Sequence, residues 1–532
     1  MSTTAATTSR ARAVLVAMAL ALAVPASALG VDGYQTSSHS FVVSTGAVGG
    51  VQFVPLINSG EEAFGVTFEG IPDGIGAVPA PGNQGWVDLY VTHEQSHVPF
   101  SGFADFQDSS VTRVRVDVSS MSITDMSVPL PASAGFLRFC SAFMAGPEQG
   151  FPHYTFLVNE ESNDQVGVPA GAPYGPDPAI APLRQSGYAV YLDTATGKYD
   201  EMAGQGRHNH ENTVVVPGGW GQIISLSGDD TFTFPSTPER PNLSQVYMHS
   251  TKNWKTFQQD RGTLWAFRVT GTDAGAVDPT DPFNDANDYF EINPGDAWTG
   301  EFIPVPEDIA NGTTGDLPQD ALEDWSNANN VFQFIRVEDI AYDPDDPRTV
   351  YFADTGNSRL WEDETTGRLF RLASDDDRVP NSLASNGRMF KFIMNADDPT
   401  VVDEFSILAD ATDVGFRSPD NIDVGHNSLM VQEDTSNAKI WMYSLATATW
   451  THVATVDQDQ DPATSDGGES SGIVDVSRWF GDGWWAIDVQ SHTNQLVGAP
   501  TTWQGPGGPA IGTPYQERRE NGQLLLMQVP GS

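Results

Sequence analysis

Leu429-Met430-Val431-Gln432-Glu433-Asp434 is an apolar run that ends in two carboxylates, and five other segments share its form. They are Val91-Thr92-His93-Glu94, Phe156-Leu157-Val158-Asn159-Glu160-Glu161, Ile224-Ser225-Leu226-Ser227-Gly228-Asp229-Asp230, Tyr351-Phe352-Ala353-Asp354 and Trp485-Ala486-Ile487-Asp488. Short apolar runs with strand-like alternation, closed by turn residues, read as β-strands. If these strands line one central axis, their ends converge into a ring of anionic oxygens. Such a ring repels itself and is costly to bury unless cations occupy it. The repeat therefore predicts a metal site. Calcium is the first candidate, because carboxylate and carbonyl oxygens are the ligands it prefers.

Working outward, many more short Val/Ile/Tyr/Phe/Trp runs are separated by turn residues such as Asp343 to Pro347, Asn381 to Asn386 and Asp413 to Gly415. The 51 Gly and 36 Pro fit a loop-rich all-β chain, and no long amphipathic helix stands out. Similar units recurring at an irregular interval of several tens of residues predict a β-propeller whose blades carry insertions. At 532 residues the length alone would suit three domains, yet no linker divides the chain, and all-β folds often run long as one unit. Residues 29–532 are therefore read as a single propeller domain. The segment 273–324, rich in Asp, Pro, Gly and Asn, reads as a long loop insertion, and 162–184 as a second one; such loops often form the mouth of a site. Asp457-Gln458-Asp459-Gln460-Asp461 begins like an EF-hand loop, but Pro462 stands where Gly is required and position twelve is Gly468, so it reads as a turn.

The net charge is -44, from 70 acidic and 26 basic residues. That balance argues against nucleic acid as partner and offers no polybasic patch to anionic lipid. Arg10 and Arg12 precede the apolar run from Ala13 to Val24, and Ala26-Ser27-Ala28 supplies small residues for cleavage. Residues 1–28 thus read as a signal peptide and the protein as secreted, extracellular or periplasmic. No later segment is apolar enough for a membrane span, which needs about 20 such residues. One cysteine, Cys140, allows no internal disulfide and no structural zinc site built of thiolates. A monomer acting on a small molecule is the expectation.

Five motifs appear in order along the chain: Gly70-Ile71-Pro72-Asp73-Gly74-Ile75-Gly76-Ala77 with Tyr90-Val91-Thr92-His93-Glu94; Gly206-Arg207-His208-Asn209-His210-Glu211-Asn212; Phe334-Ile335-Arg336-Val337-Glu338-Asp339; Ser418-Pro419-Asp420-Asn421; and Asp488-Val489-Gln490-Ser491-His492. Together they resemble the recurrent motifs of the PhoX-type alkaline phosphatases. The resemblance implies a six-bladed β-propeller with a calcium and iron cluster in its axial funnel, hydrolysing phosphate monoesters outside the cell. It implies metal ligation by Glu94, Glu160, Glu161, Glu211 and Glu338, with further ligands at Asp420, Glu433 and Asp488, and a phosphate contact by Arg336. Where the family pattern supplies a cysteine to iron, this chain has Asn159, and Cys140 matches an earlier family cysteine not expected to replace it. Family members commonly carry a twin-arginine signal; here Ala11 separates Arg10 from Arg12, which points to the general export route. Both departures weaken iron and favour an oxygen-only calcium cluster, with a mixed calcium and iron site left open.

Cations held there would grip phosphoryl oxygens, neutralise developing charge and activate water, while Arg336 adds a permanently charged fork. Asp230 and Asp354 read as ordinary acidic turns. His208, His210, His93 and His492, with Asn159, Asn421 and Gln490, read as residues that orient ligands. Gly468-Glu469-Ser470-Ser471-Gly472 fits the nucleophile pattern Gly-x-Ser-x-Gly but follows a polar loop, and reads as a chance match in a turn. Two alternatives stay open at this point: a calcium-stabilised propeller that binds without catalysis, and a calcium-dependent lactonase or esterase.

Overall fold

Runs such as Trp485-Ala486-Ile487 are apolar without a break because both faces of their strands are covered. Ala486 packs into one core cluster with Val91 and Leu524, and its neighbour Ile487 into another with Met430 and Leu525. The same wedge-like burial recurs around the molecule: Tyr90 and Val111 meet Phe139 and Phe156, and Ala353 and Met389 meet Ile422 and Val431. The computed structural model describes residues 33–82, 85–96, 108–167, 183–231, 236–281, 283–458, 468–503, 510 and 512–532, all within one unit, Gly33–Ser532. The proposed signal peptide, most of the segment 162–184, and Asp459 to Asp461 lie outside the described residues.

The chain is all-β and propeller-like, as expected from the strand pattern. Among the described residues, six antiparallel meanders follow one another. Their first strands are Pro72–Pro79, Phe139–Ala145, His210–Val216, Val337–Tyr342, Pro419–Val424 and Glu469–Asp475, and these contact one another in cyclic order, the last touching the first. They are the inner strands around the axis. The second strands are Trp86–His93, Thr155–Glu160, Ile223–Asp229, Thr349–Asp354, Ser428–Glu433 and Trp484–Leu496. Glu469–Asp475 corrects one expectation: the Gly-x-Ser-x-Gly stretch is no turn but the start of the sixth inner strand.

The sixth meander is completed by the N-terminal segment. Gln52–Asn58 pairs antiparallel with Arg518–Gln528, the last strand in chain order among the described residues, and Val42–Ser44 adds a fifth strand to the fifth meander. The segment 273–324 also differs from a plain loop. Trp298–Pro304 pairs with Thr263–Thr272 on one side and Val401–Asp410 on the other, joining the third and fourth meanders into one sheet. The buried Trp298 and Phe302 supply the apolar face that draws it there. Pro318–Ala328, the longest helix among the described residues, closes the segment.

Gln523 ties the ring shut. It is fully buried, accepts the Phe41 amide at 2.8 Å, and donates to the His39 carbonyl and Asn58 Oδ1 at 2.9 Å each. At about 1 kcal/mol per net hydrogen bond, Gln523→Ala is expected to lower unfolding free energy in a denaturant titration by about 2–3 kcal/mol. An unchanged midpoint would show that strand pairing alone closes the ring.

Candidate metal centre

Every inner strand carries a β-bulge at the same place. Two of its residues oppose one residue of the second strand: Asp73-Gly74 opposite Thr92, Cys140-Ser141 opposite Asn159, Glu211-Asn212 opposite Gly228, Glu338-Asp339 opposite Ala353, Asp420-Asn421 opposite Gln432, and Ser471-Gly472 opposite Asp488. A bulge bends the strand and re-aims its side chains. Asp73, Cys140, Glu211, Glu338 and Asp420 all line one axial cavity of ≈ 320 Å³. Gly74, Ser141, Asn212, Asp339 and Gly472 line a second cavity further along the axis.

The second strands end in a two-residue device. The first residue braces the loops: Glu160 accepts the Leu137 and Tyr188 amides at 2.7 and 3.0 Å, Asp354 those of Ile335 and Gly356 at 2.8 and 2.9 Å, and Glu433 those of Arg417 and Lys439 at 2.9 and 3.1 Å, plus Trp441 Nε1 at 2.9 Å. The amide of the next residue bonds to the residue that enters the inner strand. Glu94 to Ile71, Glu161 to Arg138, Asp230 to Asn209, Thr355 to Arg336 and Asp434 to Ser418 each span 2.9 Å. Glu94, Glu161 and Asp434 then line the cavity, together with Glu469, Glu520, Gln490, Ile71 and Arg336. Ile71, Arg138 and Ser418 hold φ near +45°, a left-handed conformation that costs a non-glycine residue about 1–3 kcal/mol and marks the rim as strained.

Three donor groups have ligand atoms within 4.8 Å of one another: Asp73, Glu94 and Cys140; Cys140, Glu161 and Glu211; and Glu211, Glu338 and Asp420. Cys140 Sγ lies 3.4 Å from Asp73 Oδ2 and 3.3 Å from Glu211 Oε1. Glu211 Oε2 is buried with no hydrogen-bond partner among the described residues. Burial pushes the Asp73 carboxyl up to about 6, and burial with the neighbouring Asp73 pushes Glu94 up to about 8. Burial and like charges raise Glu161, Glu211, Glu338 and Asp420 as well. An orphaned buried carboxylate oxygen inside such a cluster fits a divalent or higher cation, and the single sulfur adds a position for a softer one.

Of the residues singled out in the sequence, Glu94, Glu161, Glu211, Glu338, Asp420, Gln490 and Arg336 come together here. Glu160 and Glu433 do not; backbone amides occupy them. Asp488 also lies off the cavity, fully buried, with both oxygens unpartnered among the described residues. Cys140, expected to stand apart, instead belongs to two donor groups. Asp73, Glu469 and Glu520 escaped the sequence reading as site residues, and Asp434 was named there only among the strand-end acids. Asn421 Nδ2 donates to Asp73 Oδ1 at 3.2 Å, and Gln490 Nε2 to Asp73 Oδ2 at 3.0 Å. Asn159 bonds the Glu211 backbone. His208 and His210 stack at 3.7 Å, and His210 bonds Ser227 and the Gly206 carbonyl, so neither hydrogen-bonds a cavity carboxylate. His93 is likewise taken up by Gly70 and Thr112. The His492 side chain lies outside the described residues.

Arg336 is fixed by Asp230, fork to fork: Nε donates to Oδ1 at 2.7 Å and Nη2 to Oδ2. Its Nη2 also stands 3.5 Å from Glu338 Oε1. A family model described as alkaline phosphatase PhoX matches residues 151–472, more than half of the chain. The chain belongs to the PhoX alkaline phosphatase family. Membership makes it a metal-dependent phosphoric ester hydrolase, so the non-catalytic and lactonase alternatives give way. The structure of Pseudomonas fluorescens PhoX in complex with vanadate, a transition state analogue, matches at TM-score 0.57 and 14% identity, over 95% of this chain and 99% of that one. The PQQ-bound aldose sugar dehydrogenase of Streptomyces coelicolor matches at TM-score 0.31 and 11% identity, over 89% and 98%. No curated protein sequence matches the chain.

The raised carboxyls fix the sign of a pH effect. Without metal, the folded protein binds more protons than the unfolded chain between roughly pH 4, where free carboxyls titrate, and about 8, the Glu94 value. Stability therefore falls as pH rises through that window. Melting temperature in excess chelator is expected to drop from pH 5 to pH 8, and added cation to restore it most at pH 8, since binding expels the protons. A chelated protein equally stable across this range would remove the case for a repelling cluster.

Proposed function

We propose that the protein is a secreted phosphatase acting on small phosphate monoesters, with calcium in the funnel and a transition ion such as iron beside Cys140. The observation that carries this reading is that Arg336 and the three donor groups line one cavity. Glu211, Glu338 and Asp420 form an oxygen-only group suited to calcium, whereas the two groups that share Cys140 suit a softer ion once the thiol is deprotonated. This reading takes the mixed site in preference to the oxygen-only one: Asn159 lacks a thiolate, but Cys140 brings one. Bound cations would neutralise the charge of the phosphoryl group and lower the pKa of water.

The chain's own residues supply orientation. Asp230 is fully buried and holds the Arg336 guanidinium in a fixed plane, so the fork does not have to be ordered when substrate arrives. Glu338 beside it links that fork to the oxygen-only group. Export is supported by Arg10, Arg12 and the apolar run to Val24. Among the described residues no helix is long and apolar enough to cross a membrane.

Arg336→Ala is expected to reduce kcat for a phosphomonoester by about two to three orders of magnitude, the usual cost of one electrostatic donor, with metal content retained. Glu338→Gln should instead lose metal along with activity. If both variants keep wild-type turnover, the cavity is not the active site. Elemental analysis of the wild-type protein is expected to find calcium and iron, and Cys140→Ser to lose iron and keep calcium. Iron retained in Cys140→Ser would place that ion elsewhere.

A further inference from the structure

A single second-strand residue stands opposite each inner-strand bulge, and in two meanders it reaches across to the next one. Thr92 Oγ1 donates to the Cys140 carbonyl at 2.8 Å. Asn159 Nδ2 donates to the Glu211 carbonyl at 2.7 Å and lies 3.2 Å from Thr213 Oγ1. All five residues are buried. Both acceptors belong to bulge residues whose own side chains face the metal cavity. Elsewhere around the ring the bond is missing. A Cβ on Gly228 would lie 2.7 Å from the Glu338 carbonyl, so the next bulge fills that place itself. Ala353 has no donor, and the side-chain polar atoms of Gln432 and Asp488 have no hydrogen-bond partner among the described residues.

The two bonded interfaces are not arbitrary. Cys140 and Glu211 are the two residues that each belong to two of the three donor groups. A bulge leaves its residues out of the strand ladder, and a buried carbonyl without a donor costs free energy and leaves its peptide plane free to rotate. Thr92 and Asn159 remove that freedom where one side chain must serve two groups at once. The demand is greatest at Cys140, because rotation about the Cα–Cβ bond alone places its Sγ, so its reach is set by the backbone. Glu211, with three rotatable bonds, can adjust.

We infer that Thr92 and Asn159 are positioning residues that hold the two shared donors of the metal centre, and that position 159 acts as a hydrogen-bond donor and not as a ligand. This rests on the reading of the cavity as a metal site. Loss of a partner behind a metal ligand costs about 10–100-fold in metal affinity, so Thr92→Val and Asn159→Leu should raise the calcium or iron concentration needed for half-saturation by at least about tenfold. Thr92→Val should act mainly on iron. Half-saturation is read from melting temperature during titration with calcium chloride or ferric citrate, and metal content from elemental analysis after dialysis. Thr92→Ser keeps the donor and should match the wild type. Asn159→Cys should behave like Asn159→Leu and hold no more iron than the wild type.

Wild-type metal midpoints in Thr92→Val and Asn159→Leu would overturn the inference, as would a change confined to the melting temperature in excess chelator, which a merely structural bond would give. Extra iron in Asn159→Cys would show a ligand position. If Thr92→Val does not fold, weakened metal binding in Thr92→Ser would be equally fatal. A wild-type protein that binds neither metal would instead defeat the functional reading on which this rests.

Discussion

Mutual repulsion among the buried and half-buried carboxylates on the axis is the constraint around which the rest of the molecule is arranged. Asp73, Glu94, Glu161, Glu211, Glu338 and Asp420 converge on one cavity, and Arg336 is the only basic residue among the described residues lining it. Left alone, such a cluster either takes up protons or pushes its walls apart. Cohesion comes from elsewhere: apolar wedges between successive meanders, and the N-terminal segment that completes the last sheet. A closed ring in which each meander is held on both sides can tolerate an unfavourable centre, because no single wall can move outward without breaking two packed interfaces. The strained φ values at Ile71, Arg138 and Ser418 are carried by the same frame.

Within that frame the acids divide into two kinds by one position in the chain. Glu160, Asp354 and Glu433 spend their oxygens on loop amides. Their successors Glu161 and Asp434 line the cavity, and Thr355 holds the equivalent place in the fourth meander. Adjacent residues at a strand end point in opposite directions, so a brace and a donor can be encoded side by side. Carboxylates suit both tasks: two amide bonds satisfy a buried carboxylate much as a cation would.

This division also explains what the sequence made legible. The apolar runs ending in acids are the second strands, because strands covered on both faces carry strong Val/Ile/Leu/Phe signals. The inner strands were harder to read. Pro72–Pro79 opens Pro-Asp-Gly, and Glu469–Asp475 opens Glu-Ser-Ser-Gly, turn-like compositions that the bulge and the axial cavity require. Motif resemblance placed Glu94, Glu161, Glu211, Glu338, Asp420 and Arg336 in the cavity region. Position along a strand alone could not tell Glu433 from Asp434, since the choice depends on which loop amides fold back over the strand end. Asp73 and Cys140 lay beyond reach because each meets a ligand atom of a neighbouring meander far along the chain, with Glu211 71 residues from Cys140.

Electrostatics adds a further consequence for substrate. A phosphate monoester is an anion at neutral pH, and the chain carries a net charge of -44. With its carboxylates ionised and no cation bound, the cavity opposes one guanidinium, itself paired with Asp230, to a surplus of negative charge. Field and substrate then have the same sign, and the low dielectric of a narrow funnel strengthens the repulsion. Cations in the donor groups reverse that sign locally. On the proposed reading, metal loading would be a precondition for a phosphate ester to enter as well as to react, and Arg336 would meet phosphate only after its acidic neighbours had been neutralised. On that reading, the same acids that oppose phosphate would also attract the cations that reverse the field.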